Sequence, residues 1–179
     1  MARIIKLSSN ENAFGPSPKA MAAYAQIAAR IHRYPDGGSA ALRRALAETW
    51  KLDSERIVCG AGSDELIALL ARAYLGPGDA ALYSEHEFLM YPIATTGAGA
   101  RAIKVKETNL TADVDALLAA LTPSTKIVFL ANPNNPTGTY LPASEVLWLR
   151  DRIPARALLV LDAAYAEFVT RPDYTSGAE

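Results

Sequence analysis

Two apolar runs, each handing over to polar residues at its carboxyl end, decide the architecture. One is Lys126–Leu130 (KIVFL), with Asn132–Gly138 (NPNNPTG) behind it; the other is Ala157–Leu161 (ALLVL), followed at once by Asp162. A short run without polar alternation reads as a strand buried on both faces, as in a parallel sheet covered by helices. From Asn135 to Asp162 is 27 residues. That length holds one crossover helix, predicted over Ala143–Arg152, because parallel neighbours need a connection of a dozen or more residues. The spacing is expected to set Asn135 and Asp162 side by side at the carboxyl edge of the sheet.

Working outward, the same alternation continues towards the amino end. Strands are expected at Arg101–Val105 (RAIKV), Ala80–Tyr83 (AALY) and Arg56–Cys59 (RIVC), and helices at Asp113–Leu121, Phe88–Thr95 and Asp64–Tyr74. Tyr91-Pro92 reads as the end of a turn. Ser39 is placed to cap a helix through Leu42, Leu46 and Trp50, after a loop at Arg33–Ser39 (RYPDGGS). Lys19–Ile31 carries apolar residues at helical spacing, and Leu7–Pro18 (LSSNENAFGPSP) is a polar arm rich in turn formers. The fold class is α/β: a mostly parallel sheet with helices on both faces.

Composition narrows the function classes. With 18 Lys+Arg against 19 Asp+Glu, the chain lacks the positive footprint of a non-specific nucleic-acid binder. No apolar run reaches the ~20 residues of a membrane span, and Met1–Asn10 does not read as a signal peptide. Neither nucleic acid nor membrane is an expected partner, and the expected location is cytoplasmic. One cysteine, Cys59, forms no internal disulfide and reads as an inert core residue. His32 and His86 lie far apart in sequence without a second ligand pair, so no metal site is expected. Arg43 and Arg44 read as a solvated helix face.

In open α/β sheets, ligands sit beyond the carboxyl ends of the strands, which singles out three segments. Gly60-Ala61-Gly62-Ser63-Asp64-Glu65 joins a strand to a helix. Small residues there allow close backbone approach, and the helix-start N–H groups suit an anion such as phosphate. An ordinary helix start capped by Ser63, with two acids in its first turn, is the competing reading. NPNNPTG offers two asparagine amides on a proline-fixed backbone, though turn formers are common in any loop. Asp162 directly follows five apolar residues and would be costly to bury without a cation. It is either a solvated loop residue or the partner of a bound cationic group.

Together with LSSNENAFGPSP, RYPDGGS, GAGSDELI, FLMYP and DAAYAEF, these segments occur in the order of a known family. The chain resembles the pyridoxal-phosphate (PLP) aminotransferases of fold type I, and LSSNEN with YPDGG points within them to the histidinol-phosphate branch. The resemblance implies the large-domain fold of that family, a small-molecule amino donor and acceptor, and a homodimer. It implies amino transfer between histidinol phosphate and 2-oxoglutarate in histidine biosynthesis, with pyridoxal 5'-phosphate as cofactor. Residue by residue, it implies that Asp162 pairs with the pyridine nitrogen, while Asn135 and Tyr165 hydrogen-bond the ring's phenolic oxygen. It further implies that the backbone N–H groups of Ser63 and Asp64 hold the cofactor phosphate and that Phe88 stacks on the ring. Tyr34 would reach the phosphate of the neighbouring subunit's cofactor, and Asn12 would lie near the substrate.

Two departures accompany the resemblance. Ala163 stands where many relatives carry Glu. The family's Schiff-base lysine follows the Asp-x-Ala-Tyr motif, yet only 14 residues follow Tyr165 and all six lysines precede it. The chain therefore reads as an amino-terminal portion of such an enzyme: an arm and helix over residues 1–30 and a PLP-binding large domain over 31–179, without the carboxyl-terminal small domain. By itself it is expected not to turn over. Competing expectations are an aromatic amino acid aminotransferase or a threonine-phosphate decarboxylase of the same fold, and a non-catalytic binding module.

Overall fold

The structure is a computed structural model that describes residues 9–178. Met1–Ser8, which include Lys6, most of the stretch read against a signal peptide and the first two residues of the arm, lie outside the described residues. The chain divides into two compact units, residues 1–41 and 42–179.

In the first unit, helix α1 (Pro18–Ile27) starts where Ser17 Oγ accepts from the Ala20 N–H at 3.1 Å, with Pro18 in the first turn. A serine cap followed by proline satisfies an orphan donor and presets the first helical φ. Helix α2 (Ala40–Trp50), which runs from the last two residues of this unit into the second, begins differently from the sequence expectation. Asp36, not Ser39, meets its start, accepting from Gly38 N at 3.0 Å and Ala40 N at 2.8 Å. Ser39 takes φ +48°, a left-handed conformation rare for residues other than glycine.

In the second unit, four strands form one parallel sheet: β1 (Ala80–Ser84), β2 (Arg101–Val105), β3 (Thr125–Ala131) and β4 (Leu158–Asp162), in the order β2-β1-β3-β4. Helices α3 (Gly62–Tyr74), α4 (Met90–Gly97), α5 (Val114–Ala119) and α6 (Ala143–Arg152) connect and cover them. Alternation along β3 separates two cores, because successive side chains of a strand point to opposite faces. Ile127, Phe129 and Ala131 pack with Ala81 and Tyr83 under Ile67 and Ala71 of α3 and Tyr91 of α4. Val128 and Leu130 pack with Leu82 under Val114 and Leu117 of α5 and Val146 and Leu149 of α6. Each fully buried aliphatic side chain contributes about 2 kcal/mol, so the two cores fix the register of β3 from both sides.

One expected strand is absent. Residues 57–60 adopt no regular structure, and a short 3-10 turn, Ser54–Arg56, occupies the start of the predicted run. None of the four strands pairs with this segment, and Val58 is 74% exposed. A strand exists only where its backbone N–H and C=O groups find a ladder, and a four-residue apolar run does not supply one. Cys59 is half-buried at the end of an irregular segment. Arg43 is tied down: its guanidinium donates to Ser54 O at 2.9 and 2.6 Å and to Glu55 Oε1 at 3.1 Å.

Candidate functional site

The carboxyl ends of β1, β3 and β4 carry the polar groups. The NPNNPTG loop folds through its own side chains. Asn132, fully buried, donates through Nδ2 to Leu141 O at 3.0 Å and accepts from Leu141 N at 2.8 Å. The Asn132 amide thus imitates one rung of a β-ladder. Asn134 Nδ2 donates to His86 O at 2.9 Å and to Thr137 Oγ1 at 2.8 Å. The peptide bonds preceding Pro133 and Pro136 are cis.

Asp162 is the last residue of β4, opposite Ala131, and not a solvated loop residue. It is half-buried, and both carboxylate oxygens accept: Oδ2 from the Tyr91 hydroxyl at 2.9 Å and Oδ1 from Ala164 N at 3.1 Å. Tyr91 is fully buried on α4, its ring stacked on Phe129 at 4.6 Å and 3° and meeting the edge of Phe88 at 6.0 Å and 88°. It does not end a turn. Burial, with the charges of Asp162 and Glu87 behind it, pushes the Tyr91 hydroxyl far above its usual range, so it stays a donor.

Helix α3 starts at Gly62, just after the irregular 57–60 segment. Ser63 is a first-turn residue, not the cap; Ala61 occupies the cap position without a side-chain hydrogen bond. Glu65 reaches back instead, its Oε2 accepting from Ala61 N at 2.6 Å. Gly62 holds φ +78°, and a Cβ on Gly60 would come to 3.0 Å from both Glu65 Oε2 and Leu66 Cδ2. This turn therefore demands glycines for its own packing and conformation.

Ser63, Phe88, Tyr91, Asn135, Asp162 and Tyr165 line one cavity at the carboxyl edge of the sheet. Asp64 is exposed in the first turn of α3. Asn12 and Tyr34 belong to the other unit. There the Asn12 side chain closes its own turn, accepting from Phe14 N at 3.0 Å and donating to Gly15 O at 3.2 Å, and Tyr34 is fully exposed. No described lysine lines the cavity.

Two residues at this edge escape sequence reasoning. Tyr91 is invisible because beside Pro92 it reads as the end of a turn, and its partner Asp162 lies 71 residues away. Glu87 is almost fully buried between strand ends, accepting from Ser84 N at 2.9 Å and Ala131 N at 3.2 Å. Burial pushes its carboxyl up to about 8, against the two N–H donors and with help from Glu107 and Asp162. A second Glu in a polar stretch (SEHEF) gives no sign of this; only the meeting of β1 and β3 creates it.

A parallel sheet with helices on both faces, and a half-buried carboxylate in a cavity beyond its strand ends, define a ligand-binding α/β domain. The chain matches the family aminotransferase class I and II over residues 2–178, and it belongs to that family. It is 63% identical over 177 residues to the histidinol-phosphate aminotransferase of Paramagnetospirillum magneticum, covering 99% of this chain and 49% of that protein. A second such enzyme, from Rhodospirillum rubrum, is 60% identical over 98% of this chain and 48% of its own length. The chain thus spans about half the length of the curated relatives it matches. Among solved structures, histidinol-phosphate aminotransferase from Sinorhizobium meliloti in complex with pyridoxal-5'-phosphate superposes with a TM-score of 0.88 at 32% identity. That match covers 92% of this chain and 45% of the other.

Proposed function

We propose that this chain builds the cofactor cradle of a PLP-dependent aminotransferase that moves an amino group between histidinol phosphate and 2-oxoglutarate. The donor set suits that cofactor: helix-start N–H groups and a serine hydroxyl for an anion, a carboxylate for a cationic ring atom, and an aromatic face for stacking. The observation that carries the reading is the meeting of Ser63, Phe88, Asn135, Asp162 and Tyr165 around one cavity, although they are spread over 103 residues of sequence.

When bound, PLP supplies an electron sink for the carbanion formed at the substrate's α-carbon. The residues of this chain prepare that chemistry. Asp162 keeps the ring nitrogen protonated by offering it a negative partner. Asn135 and Tyr165 donate to the phenolic oxygen and stabilise its anion. The N–H groups of Ser63 and Asp64 hold the phosphate at the positive end of α3. Phe88 covers one ring face and excludes water from it. Asn12 contacts the substrate, and Tyr34 reaches the phosphate in the neighbouring subunit of a cytoplasmic homodimer. The large domain begins near residue 31 on this reading, and the arm before it serves the substrate.

The test is binding. Pyridoxal 5'-phosphate titrated into the chain is expected to bind more tightly than pyridoxal and inorganic phosphate, and Asp162→Asn to weaken it by about tenfold or more. A chain that ignores the cofactor at millimolar concentration overturns the reading. For the substrate, the gene that encodes this chain is expected to restore growth of a histidine auxotroph lacking this transamination. Rescue of an aromatic-transaminase mutant instead favours the aromatic enzyme.

A further inference from the structure

We propose that Tyr91 is the positioning residue of this site: its hydroxyl fixes the Asp162 carboxylate for a ring nitrogen while its ring backs the stacking face of Phe88. The inference rests on the function proposed above and adds to it a residue outside the expected contact set.

The geometry is specific. A carboxylate on a strand end can rotate about two side-chain torsions, and a single anchor leaves one of them free. Here both oxygens are held, Oδ1 by Ala164 N at 3.1 Å and Oδ2 by Tyr91 at 2.9 Å. Each oxygen keeps a second lone pair, so the carboxylate can still accept from a ligand. Tyr91 is itself fixed, being fully buried and stacked on Phe129. It therefore carries the rigidity of β3 to the end of β4. Its edge contact with Phe88 gives the same side chain a hold on the cavity's aromatic wall. A buried tyrosine kept only for packing needs some hydrogen-bond partner; this one uses the only carboxylate that lines the cavity among the described residues. The displaced hydroxyl pKa keeps the donor protonated throughout the working pH range.

The test separates the hydroxyl from the ring and the ring nitrogen from the rest of the ligand. Pyridoxamine 5'-phosphate, which binds without a lysine, is titrated into the chain beside an analogue in which carbon replaces the ring nitrogen. In Tyr91→Phe, pyridoxamine phosphate is expected to bind about tenfold more weakly, the scale of one hydrogen bond to a charged group, with the carbon analogue unchanged. In Asp162→Asn the two ligands bind alike, and adding Tyr91→Phe changes nothing further. Equal losses for both ligands, or no loss, overturn the proposal while leaving the cradle intact. Failure of the unaltered chain to bind either ligand overturns the cradle and this inference together. If Tyr91→Phe does not fold, 3-fluorotyrosine at position 91 keeps the hydroxyl and, through a fluorine on the neighbouring ring carbon, makes it a more acidic donor. It is expected to change the ratio of the two affinities, and an unchanged ratio overturns the proposal.

Discussion

Residues 57–62 and residues 127–138 look alike in sequence, each an apolar run giving way to small or polar residues before a helix or turn, yet they fold in opposite ways. The second is locked. Asn132 is fully buried, its amide pairs with both backbone groups of Leu141, and its carbonyl accepts from the Tyr174 hydroxyl at 2.7 Å. The first has no ladder, and its ordered feature is the Glu65 carboxylate on Ala61 N. Apolar character does not by itself make a strand. A neighbour on the sheet does, and after that the side chains that close the loop.

The contrast can be broken most forcefully at Glu87, which ties the end of β1 to the end of β3. Its carboxyl is raised from 4.5 to about 8 by burial foremost. The unfolded chain releases this proton near 4.5 while the folded chain retains it, so stability is greatest below that pH and falls as pH rises towards 8. The expected slope from this one group is up to about 1.4 kcal/mol per pH unit. Glu107, Asp162, Tyr83 and Tyr91 face it electrostatically. Urea denaturation across that range is expected to show the decline, and Glu87→Gln to flatten it. A variant with the parental slope contradicts the assignment.

Next in size is Asn132→Ala. It leaves the buried N–H and C=O of Leu141 unpaired, at an expected cost of about 3 kcal/mol in unfolding free energy. A loss below 1 kcal/mol would mean that water replaces both partners, and would erase the contrast between the two segments. Gly62→Ala tests the one conformational demand of the looser region. Open space surrounds the site, so the positive φ alone sets the loss, about 1 kcal/mol. The smallest effect belongs to Val58→Thr, expected to change stability by less than about 0.5 kcal/mol because the side chain is mostly in solvent. A large loss there would mean that Val58 is packed against a neighbour, and would contradict the looseness of this segment.

Much of the fold is legible from periodicity. β2 and α6 fall on their expected residues, and β3 extends KIVFL by one residue at each end. Those segments announce themselves because a doubly covered parallel strand must be apolar throughout and a covering helix must repeat its apolar face. The misreadings have a common origin. The strand expected at 56–59, Ser39 as the cap of α2 and Ser63 as the cap of α3 all rest on neighbours in sequence. Each was decided by a competitor, respectively the missing ladder, Asp36 and Glu65. Tyr91 and Glu87 were illegible for a stronger reason, since their partners lie 71 and 44 residues away.

What the amino-acid order determined by itself is the alternation of buried strands and amphipathic helices, and with it the edge where polar groups must collect. It also determined the residue types offered there, through the motifs that place the chain in its family. Tertiary structure alone decided which of those groups touch. Hydrophobic pattern acts along the chain and is set by local periodicity, whereas a hydrogen bond between strand ends exists only after β1, β3 and β4 have been brought side by side. The Tyr91–Asp162 contact and the buried carboxyl of Glu87 are products of that packing.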